Sequence, residues 1–274
     1  MLKRFSTLFA LLFALSVASG WAQTFTYNAS GTWQIASTWT AALGASGFPG
    51  QASNNGDVTI SPTAAALVFA DAPPAFPISS LTMGGTQPTT LGAGTLTITG
   101  AFTLNAGATL NIPAGTTVVV NGASTIAGTI NLTAGTSKII FNGAVTQSGS
   151  GVITAAAAAS TVQLGAGVTS IAGTLFGASF GGVIQTGGAL NLTSNLTMAA
   201  AGVLNLVGTT TINSSVTLTV NNTAAGAITG AGNLQGASAT AIVDLTAGPV
   251  ALQGTWFTNP FNGTLRTSTA GASS

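Results

Sequence analysis

The sequence predicts an all-β protein, a three-sided parallel β-helix (β-solenoid) of about 21 residues per coil with an N-terminal cap. Three observations support this fold class. Apolar residues alternate with Thr, Asn or Ser in short segments, a glycine ends each segment after six to eight residues, and every third segment shares one register. Alternation with a period of two is typical of strands with one buried face. Return to the same register after three strands is typical of a solenoid.

The shared register is clearest before the closing glycines. Gly100, Gly122 and Gly143 follow one another at intervals of 22 and 21 residues. Two registers of apolar pairs precede such glycines, the first at four and two residues and the second at five and three. The first register contains Leu96/Ile98, Val118/Val120 and Ile139/Phe141, and the second contains Leu110/Ile112 and Ile130/Leu132. We expect these pairs to stack inside the coils, with glycine at the corners.

Polar residues are expected to stack on the outside of the coils. Asn121 precedes one corner and Asn142 the next, and Asn111 and Asn131 are outward residues of the second register. Stacked amides can bond to each other along such a ladder. The segment around Ile126 fits neither register, and the period becomes less regular after Gly143.

The chain is expected to begin with a secretory signal peptide at residues 1–22. Two basic residues, an apolar run from about 8 to 17 and small residues before Ala22 have the layout of such a peptide, with cleavage after Gly20 as the alternative. A short membrane anchor is a second interpretation, but the run is shorter than a membrane span requires. We therefore expect a secreted, extracellular protein associated with a cell surface, with no membrane segment once the signal is removed.

Aromatic residues mark both ends of the predicted solenoid at residues 77–256. Residues 23–76 are richer in Trp and Pro and are expected to form the cap and an irregular first coil, with Trp33 and Trp39 covering its apolar end. A ligand-binding aromatic patch is the alternative for these two tryptophans. At the other end, Trp256, Phe257 and Phe261 are expected either to cap the last coil or to insert into a neighbouring molecule. Residues 257–274 are predicted to be a C-terminal tail.

The N-terminal region also carries a resemblance to known proteins. Its motifs are Ser30-Gly31-Thr32-Trp33, Ser37-Thr38-Trp39, Pro49 and Gly56-Asp57-Val58-Thr59-Ile60. Over about 35 residues this order resembles the opening module of large secreted bacterial surface proteins. The remainder of those proteins is a repetitive β-helix of the adhesin or autotransporter-passenger type. The resemblance implies a bacterial cell-surface or extracellular-matrix component without a catalytic site.

Charged residues are scarce, which excludes several classes of function. The chain has four Lys and Arg, three Asp and Glu, and no His or Cys. Without residues 1–22, only Lys138 and Arg266 remain against Asp57, Asp71 and Asp244, a net charge of −1. Nucleic acid is not an expected partner because binding it requires clustered Lys and Arg. Weak charge repulsion favours self-association, and disulfides cannot form.

The same composition predicts that the protein is not an enzyme. Hydrolysis of a glycosidic bond usually requires two nearby carboxyl groups, and only Asp57 and Asp71 are close in sequence. Metal sites and nucleophilic sites of the usual kinds need His or Cys. We therefore expect no catalytic residue, no metal and no cofactor.

One predicted side appears apolar on both faces, because Val119 and Ile140 point outward between inward-facing residues. Either the N-terminal segment or another molecule is then expected to cover it. This favours a structural role, as a self-assembling subunit of a fibre, sheath or surface matrix through end-to-end and lateral contacts. Copies of the protein are thus the expected partners.

A monomeric adhesin that binds surface carbohydrate or another surface is the alternative function. An ice-binding or crystal-binding face is a third hypothesis, suggested by the Thr-x-Thr stretches at 95–99 and 217–219. It is disfavoured, because the outward row changes from Thr97 to Val119 and Ile140 within two coils.

Overall fold

The computed structural model describes residues 24–27, 32–41, 47–51, 55–178, 180–224, 226–246, 256–257 and 261–267. These residues confirm the predicted fold class: parallel sheets stack as a β-solenoid of about nine turns, about 22 residues apart. The described helices are short 3-10 turns at Ala36–Thr38 and Gly173–Leu175. No helix in the described ranges is long and apolar enough to cross a membrane.

The strands are short, and most contain three or four residues. In chain order, those of the N-terminal half are β1 (Thr24–Tyr27), β2 (Trp39–Ala41), β3 (Asp57–Ile60), β4 (Leu67–Val68), β5 (Ser80–Met83), β6 (Thr89–Thr90), β7 (Gly94–Ile98), β8 (Phe102–Leu104), β9 (Thr109–Ile112), β10 (Thr116–Val120), β11 (Ser124–Ile126), β12 (Thr129–Leu132), β13 (Lys138–Phe141), β14 (Val145–Gln147) and β15 (Val152–Ala155). Those of the C-terminal half are β16 (Thr161–Leu164), β17 (Ser170–Ile171), β18 (Val183–Thr186), β19 (Leu190–Leu192), β20 (Leu196–Met198), β21 (Val203–Leu206), β22 (Thr209–Ile212), β23 (Thr217–Val220), β24 (Ile228–Gly230), β25 (Asn233–Gly236), β26 (Ile242–Leu245) and β27 (Thr264–Thr267).

Successive strands fall on three sides of the coil. The first side is a seven-stranded sheet of order β14-β11-β8-β5-β3-β1-β2, here named the threonine sheet. The second is a five-stranded sheet of order β15-β12-β9-β6-β4, the asparagine sheet, and the third is the long sheet, β24-β21-β18-β16-β13-β10-β7. Neighbouring strands are parallel except β1 and β2, which are antiparallel.

Both predicted registers are confirmed. Val118 pairs with Leu96 and Ile139 in the long sheet, and Ile130 pairs with Leu110 in the asparagine sheet. All five side chains are fully buried. The segment around Ile126 belongs to the threonine sheet, where the three-residue strand β11 pairs with β8 and β14. Its register differs because strands on this side are shorter.

The predicted asparagine ladders also form. Asn142 donates from Nδ2 to Oδ1 of Asn121 at 2.8 Å, and Asn131 donates from Nδ2 to Oδ1 of Asn111 at 3.3 Å. A threonine extends the second ladder at each end: Thr90 Oγ1 accepts from Asn111, and Thr154 Oγ1 donates to Asn131. Side chains on the outside of the asparagine sheet are therefore bonded to one another.

The solenoid is interrupted near residues 171–180, which explains the irregular period in the sequence. The Gly173–Leu175 turn replaces a strand, and Phe176 makes only an isolated bridge to Ile153. The first two sides resume as four-stranded sheets, β17-β19-β22-β25 and β20-β23-β26-β27, whereas the long sheet passes through unbroken. The ring centroids of Phe176 and Phe180 are 5.2 Å apart beneath this turn.

The parallel stack extends past residue 256, where the sequence predicted that the solenoid ends. Strand β27 pairs in parallel with β26, so part of the expected tail at 257–274 is a strand. Leu265 is its one apolar residue, so β27 does not show the repeat pattern. At the other end, β3 pairs in parallel with β5 within the irregular first coil expected at residues 23–76.

Corner glycines stack closely, and this is why side chains are excluded there. A Cβ on Gly122 would collide with the carbonyl oxygen of Gly100, and a Cβ on Gly143 with that of Gly122. The φ angle is not in the left-handed region at these three corners, so close stacking alone requires glycine there. Gly115, with φ of +72°, is a corner where the backbone conformation itself favours glycine.

We predict that Gly122→Ala lowers the free energy of unfolding by about 1–3 kcal/mol, because two backbones must separate to admit the methyl group. Gly135→Ala is the matched control, since its Cβ would lie 3.5 Å from Ala159 Cβ in an ordinary contact. Denaturant unfolding followed by circular dichroism measures both. Equal stability of the two variants would contradict the close-stacking explanation.

Candidate functional site

A row of seven threonines crosses the outer face of the threonine sheet. Every strand of that sheet contributes one residue, and the residues pair directly from strand to strand. In spatial order the row is Thr40, Thr26, Thr59, Thr82, Thr103, Thr125 and Thr146. None of the seven is buried. With strands about 4.8 Å apart, the row is about 29 Å long.

The short strands of the threonine sheet explain why a single threonine row forms. In β8, Phe102 and Leu104 point into the core and Thr103 points out, so a three-residue strand presents a single outward side chain. Thr125 in β11 and Thr146 in β14 occupy the same position. Threonine suits this position because its branched Cβ favours extended backbone.

The seven hydroxyl groups make no hydrogen bond to any described residue. The contrast with the asparagine sheet is sharp, since Thr90 and Thr154 there bond to the amide ladder. Each hydroxyl of the threonine row keeps one donor and two acceptor sites. Among the described residues nothing occupies these hydroxyls, so they are available to water or to a bound surface.

The threonine face is almost free of charge and presents no aromatic ring. Among its strands, Asp57 is the one formally charged residue, and it accepts a hydrogen bond from Ser80 Oγ at 2.6 Å. The aromatic side chains of these strands pack against the core instead, namely Phe25, Tyr27, Trp39 and Phe102. Exposed alanines flank the row at Ala101, Ala123 and Ala144.

Trp33 and Trp39 lie inside the N-terminal end rather than on its surface. They are 0% and 5% exposed, and their rings pack against Phe69, which follows β4. Each indole N–H donates to a backbone carbonyl, that of Pro49 for Trp33 and that of Trp33 for Trp39. These buried rings cover the first coil, so they cannot form the alternative ligand-binding patch.

Asp71 holds this aromatic cluster in place. Its carboxylate accepts from the backbone N–H of Trp33 at 2.6 Å and from that of Gln34 at 2.8 Å. The Gln34 side chain donates to the carbonyl of Ala72 at 3.1 Å. Asp71, one of the three Asp residues of the chain, thus stabilises the N-terminal end that the aromatic cluster covers.

The C-terminal aromatic residues pack within their own molecule. Trp256 is 2% exposed, and Phe257 and Phe261 pack against the core with ring centroids 5.2 Å apart. Phe257 bridges to Leu234, which places it on the side of β25. Of the two alternatives from the sequence, capping of the last coil agrees with these contacts.

Asp244 and Arg266 are register partners on β26 and β27, next to this end. The hydroxyl and backbone N–H of Thr246 lower the pKa of Asp244, and the Arg266 charge acts in the same direction. These two charges lie at the opposite end of the solenoid from the threonine row.

Val119 and Ile140 are half-buried neighbours on the outside of the long sheet. Their row continues to Thr97 on one side and Gln163 on the other, so its apolar part covers two coils. The described N-terminal strands belong to the threonine sheet and do not cover this side. The apolar area is therefore limited to the two residues that the sequence analysis named, and no described segment covers it.

No family model matches the chain, and no match is found among curated proteins or solved structures. The threonine row was not predicted from the sequence, because a threonine ladder was sought only along Thr97, Val119 and Ile140. The repeated Ala-x-Thr at 101–103, 123–125 and 144–146 is the signal that could have indicated it.

We predict that Asp71→Ala destabilises the closed N-terminal end by about 1.5–3 kcal/mol, the net value of hydrogen bonds to a charged group. Tryptophan emission should shift to longer wavelength, and quenching by acrylamide should increase, because Trp33 and Trp39 become accessible. Asp57→Ala is the control, because it removes the same charge but only one side-chain hydrogen bond, the one from Ser80 Oγ. Unchanged quenching in Asp71→Ala would contradict this role of Asp71.

Proposed function

We propose that the protein is a secreted, non-enzymatic β-solenoid that attaches to an extended, regular surface through its threonine face. The unbroken row of seven threonines, whose hydroxyls have no hydrogen-bond partner among the described residues, carries this proposal. Export is supported by the signal-peptide pattern of residues 1–22, which lie outside the described residues. The role corresponds to the adhesin alternative of the sequence analysis, with a different site from the expected tryptophans.

A rigid, periodic row suits an extended surface better than a small ligand. Each hydroxyl contact is weak, but seven contacts on one scaffold engage together, and occupancy of one raises the effective concentration of the next. Threonine on a paired strand has little freedom left to lose on binding, so the ordering cost is small. A small molecule would contact only one or two of the threonines, so its binding would not gain from simultaneous contacts along the row.

We predict that the purified protein is retained by at least one regular solid among ice, crystalline cellulose and chitin. Thr103→Lys with Thr125→Lys should lower the bound fraction roughly tenfold or more, because two long side chains hold the surface away from the other rungs. Thr109→Lys with Thr129→Lys is the matched control, since these residues pair in the same way on the asparagine sheet. Retention by none of the solids would refute surface attachment, and equal loss in both variants would refute the threonine face as its site.

Self-association through the C-terminal end is a second candidate function. Leu265 on β27 is 40% exposed, although its register partner Val243 is fully buried. No described residue pairs with the outer edge of β27, and such an edge can pair with another chain. Since Trp33 and Trp39 cover the opposite end, two copies meeting by their C-terminal ends are favoured over the fibre expected from the sequence.

We predict that Leu265→Lys weakens any dimer roughly tenfold or more, because a charge replaces the apolar side chain at the open end of the core. Thr197→Lys, on the outer face of β20 away from this end, should leave the dimer unchanged. Sedimentation velocity across a concentration series measures both. Filaments longer than a dimer would instead support the fibre, and monomers at every concentration would exclude both assemblies.

A further inference from the structure

The threonine face also limits which regular surface it can bind, and this step rests on the proposed function. Ionic minerals present alternating charges that are met by carboxylates or basic side chains. The one charged residue on these strands, Asp57, lies toward the N-terminal end and bonds to Ser80. From Thr82 to Thr146 the strands carry no charge at all. An ionic crystal therefore finds no matching partner along most of the row.

Crystalline polysaccharides are matched poorly as well. Sugar rings stack on the faces of aromatic side chains, and the described tryptophans, Trp33, Trp39 and Trp256, are at most 5% exposed. The most exposed aromatic residue among the described ones, Phe76 at 50%, lies in the connection before β5 and outside the strands of this sheet. Hydroxyl groups alone would have to compete with water for the sugar hydroxyls, which gives little net stabilisation.

A lattice of water has the properties that this face can match. It is neutral, and each oxygen both donates and accepts, as each threonine hydroxyl does. The hydroxyls recur at the strand spacing of about 4.8 Å, a repeat close to that of the oxygen lattice of ice. Beside each hydroxyl lies the threonine methyl group, and the flanking alanines Ala101, Ala123 and Ala144 add further small apolar groups. Water ordered over such methyl groups can join the lattice that the hydroxyls bind.

We infer that the threonine face binds ice, with the seven hydroxyls from Thr40 to Thr146 as the contact row. The three sides of the solenoid carry different outward residues, and this agrees with a single binding side. On the asparagine sheet, Thr90 and Thr154 are bonded to the amide ladder, and the outward pair Thr109 and Thr129 is followed by Val152. The row on the long sheet changes from Thr97 to Val119, Ile140 and Gln163. Neither side offers a comparable row of free hydroxyls.

Ice-affinity partitioning of the purified protein tests this inference, with inhibition of ice recrystallisation as the second measurement. The protein should concentrate in slowly grown ice, and Thr103→Lys with Thr125→Lys should reduce that enrichment roughly tenfold or more. The control pair Thr109→Lys with Thr129→Lys should retain it. Circular dichroism of all the variants establishes that the fold is kept.

Substitutions that remove one group at a time separate the contributions of the threonine hydroxyl and methyl groups to ice binding. Thr103→Val with Thr125→Val keeps the methyl groups and removes the hydroxyls, whereas Thr103→Ser with Thr125→Ser does the reverse. Either pair should reduce the enrichment if both groups contribute. Exclusion of the unsubstituted protein from ice overturns the inference.

Parallel binding to crystalline cellulose and chitin distinguishes the failure of this inference from that of the proposed function. Retention on either solid through the threonine face, without enrichment in ice, would leave surface attachment standing and overturn the assignment to ice. Binding to none of the three would overturn both. Enrichment in ice that is equal in the Thr103/Thr125 variant and its control would overturn the assignment of the threonine row.

Discussion

The in-register pairing of each strand with the strand one coil earlier is the constraint on which the whole structure depends. Because the hydrogen bonds of a parallel ladder run along the solenoid axis, a residue stands directly above its equivalent in the preceding coil. The Leu96, Val118 and Ile139 row is one result, and it forms part of the core. The bonded asparagines and the free threonines are rows of the same origin. Any residue type that recurs at the same position in each coil therefore forms a continuous row along the solenoid.

Close stacking is what allows so uncharged a chain to hold this register without disulfides. Gly100, Gly122 and Gly143 bring successive corners into backbone contact, so the coils cannot slide past one another without a collision. Buried aliphatic side chains fill the interior at each level. The few charges act locally, as Asp71 does at the N-terminal cluster. Order along the axis therefore comes from backbone geometry and packing, which extend uniformly over many coils.

The interruption near Phe176 sets the length of the candidate site. Two of the three sides end there and resume as new sheets, whereas the long sheet continues and keeps the two halves connected. In the C-terminal half the corresponding outward residues are Ser170, Asn191, Thr211 and Gln235, so the row of identical side chains stops at β14. The threonine face thus belongs to the N-terminal half, next to the closed end. The threonine face and the outer edge of β27, with which no described residue pairs, are thereby separated along the axis.

The sequence by itself determined the solenoid, its three sides and two of its registers, because glycine corners and alternation are local patterns that repeat at a visible spacing. It also located the asparagine ladders, since Asn121 and Asn142 stand at equivalent points before a corner. The threonine row depended on tertiary structure. Phe102, Ser124 and Val145 are inward equivalents with little chemical likeness, so their strands do not look like repeats.

Thr40 enters the row through the antiparallel return of β2, a long-range contact that no local pattern specifies. The placement of Trp33 and Trp39 likewise depended on tertiary structure. Their positions in the sequence favour a cap but also allow a binding patch, and burial against Phe69 agrees with the cap. Local periodicity predicts which residues repeat, but only the folded chain brings distant segments together and so decides which side chains remain at the surface.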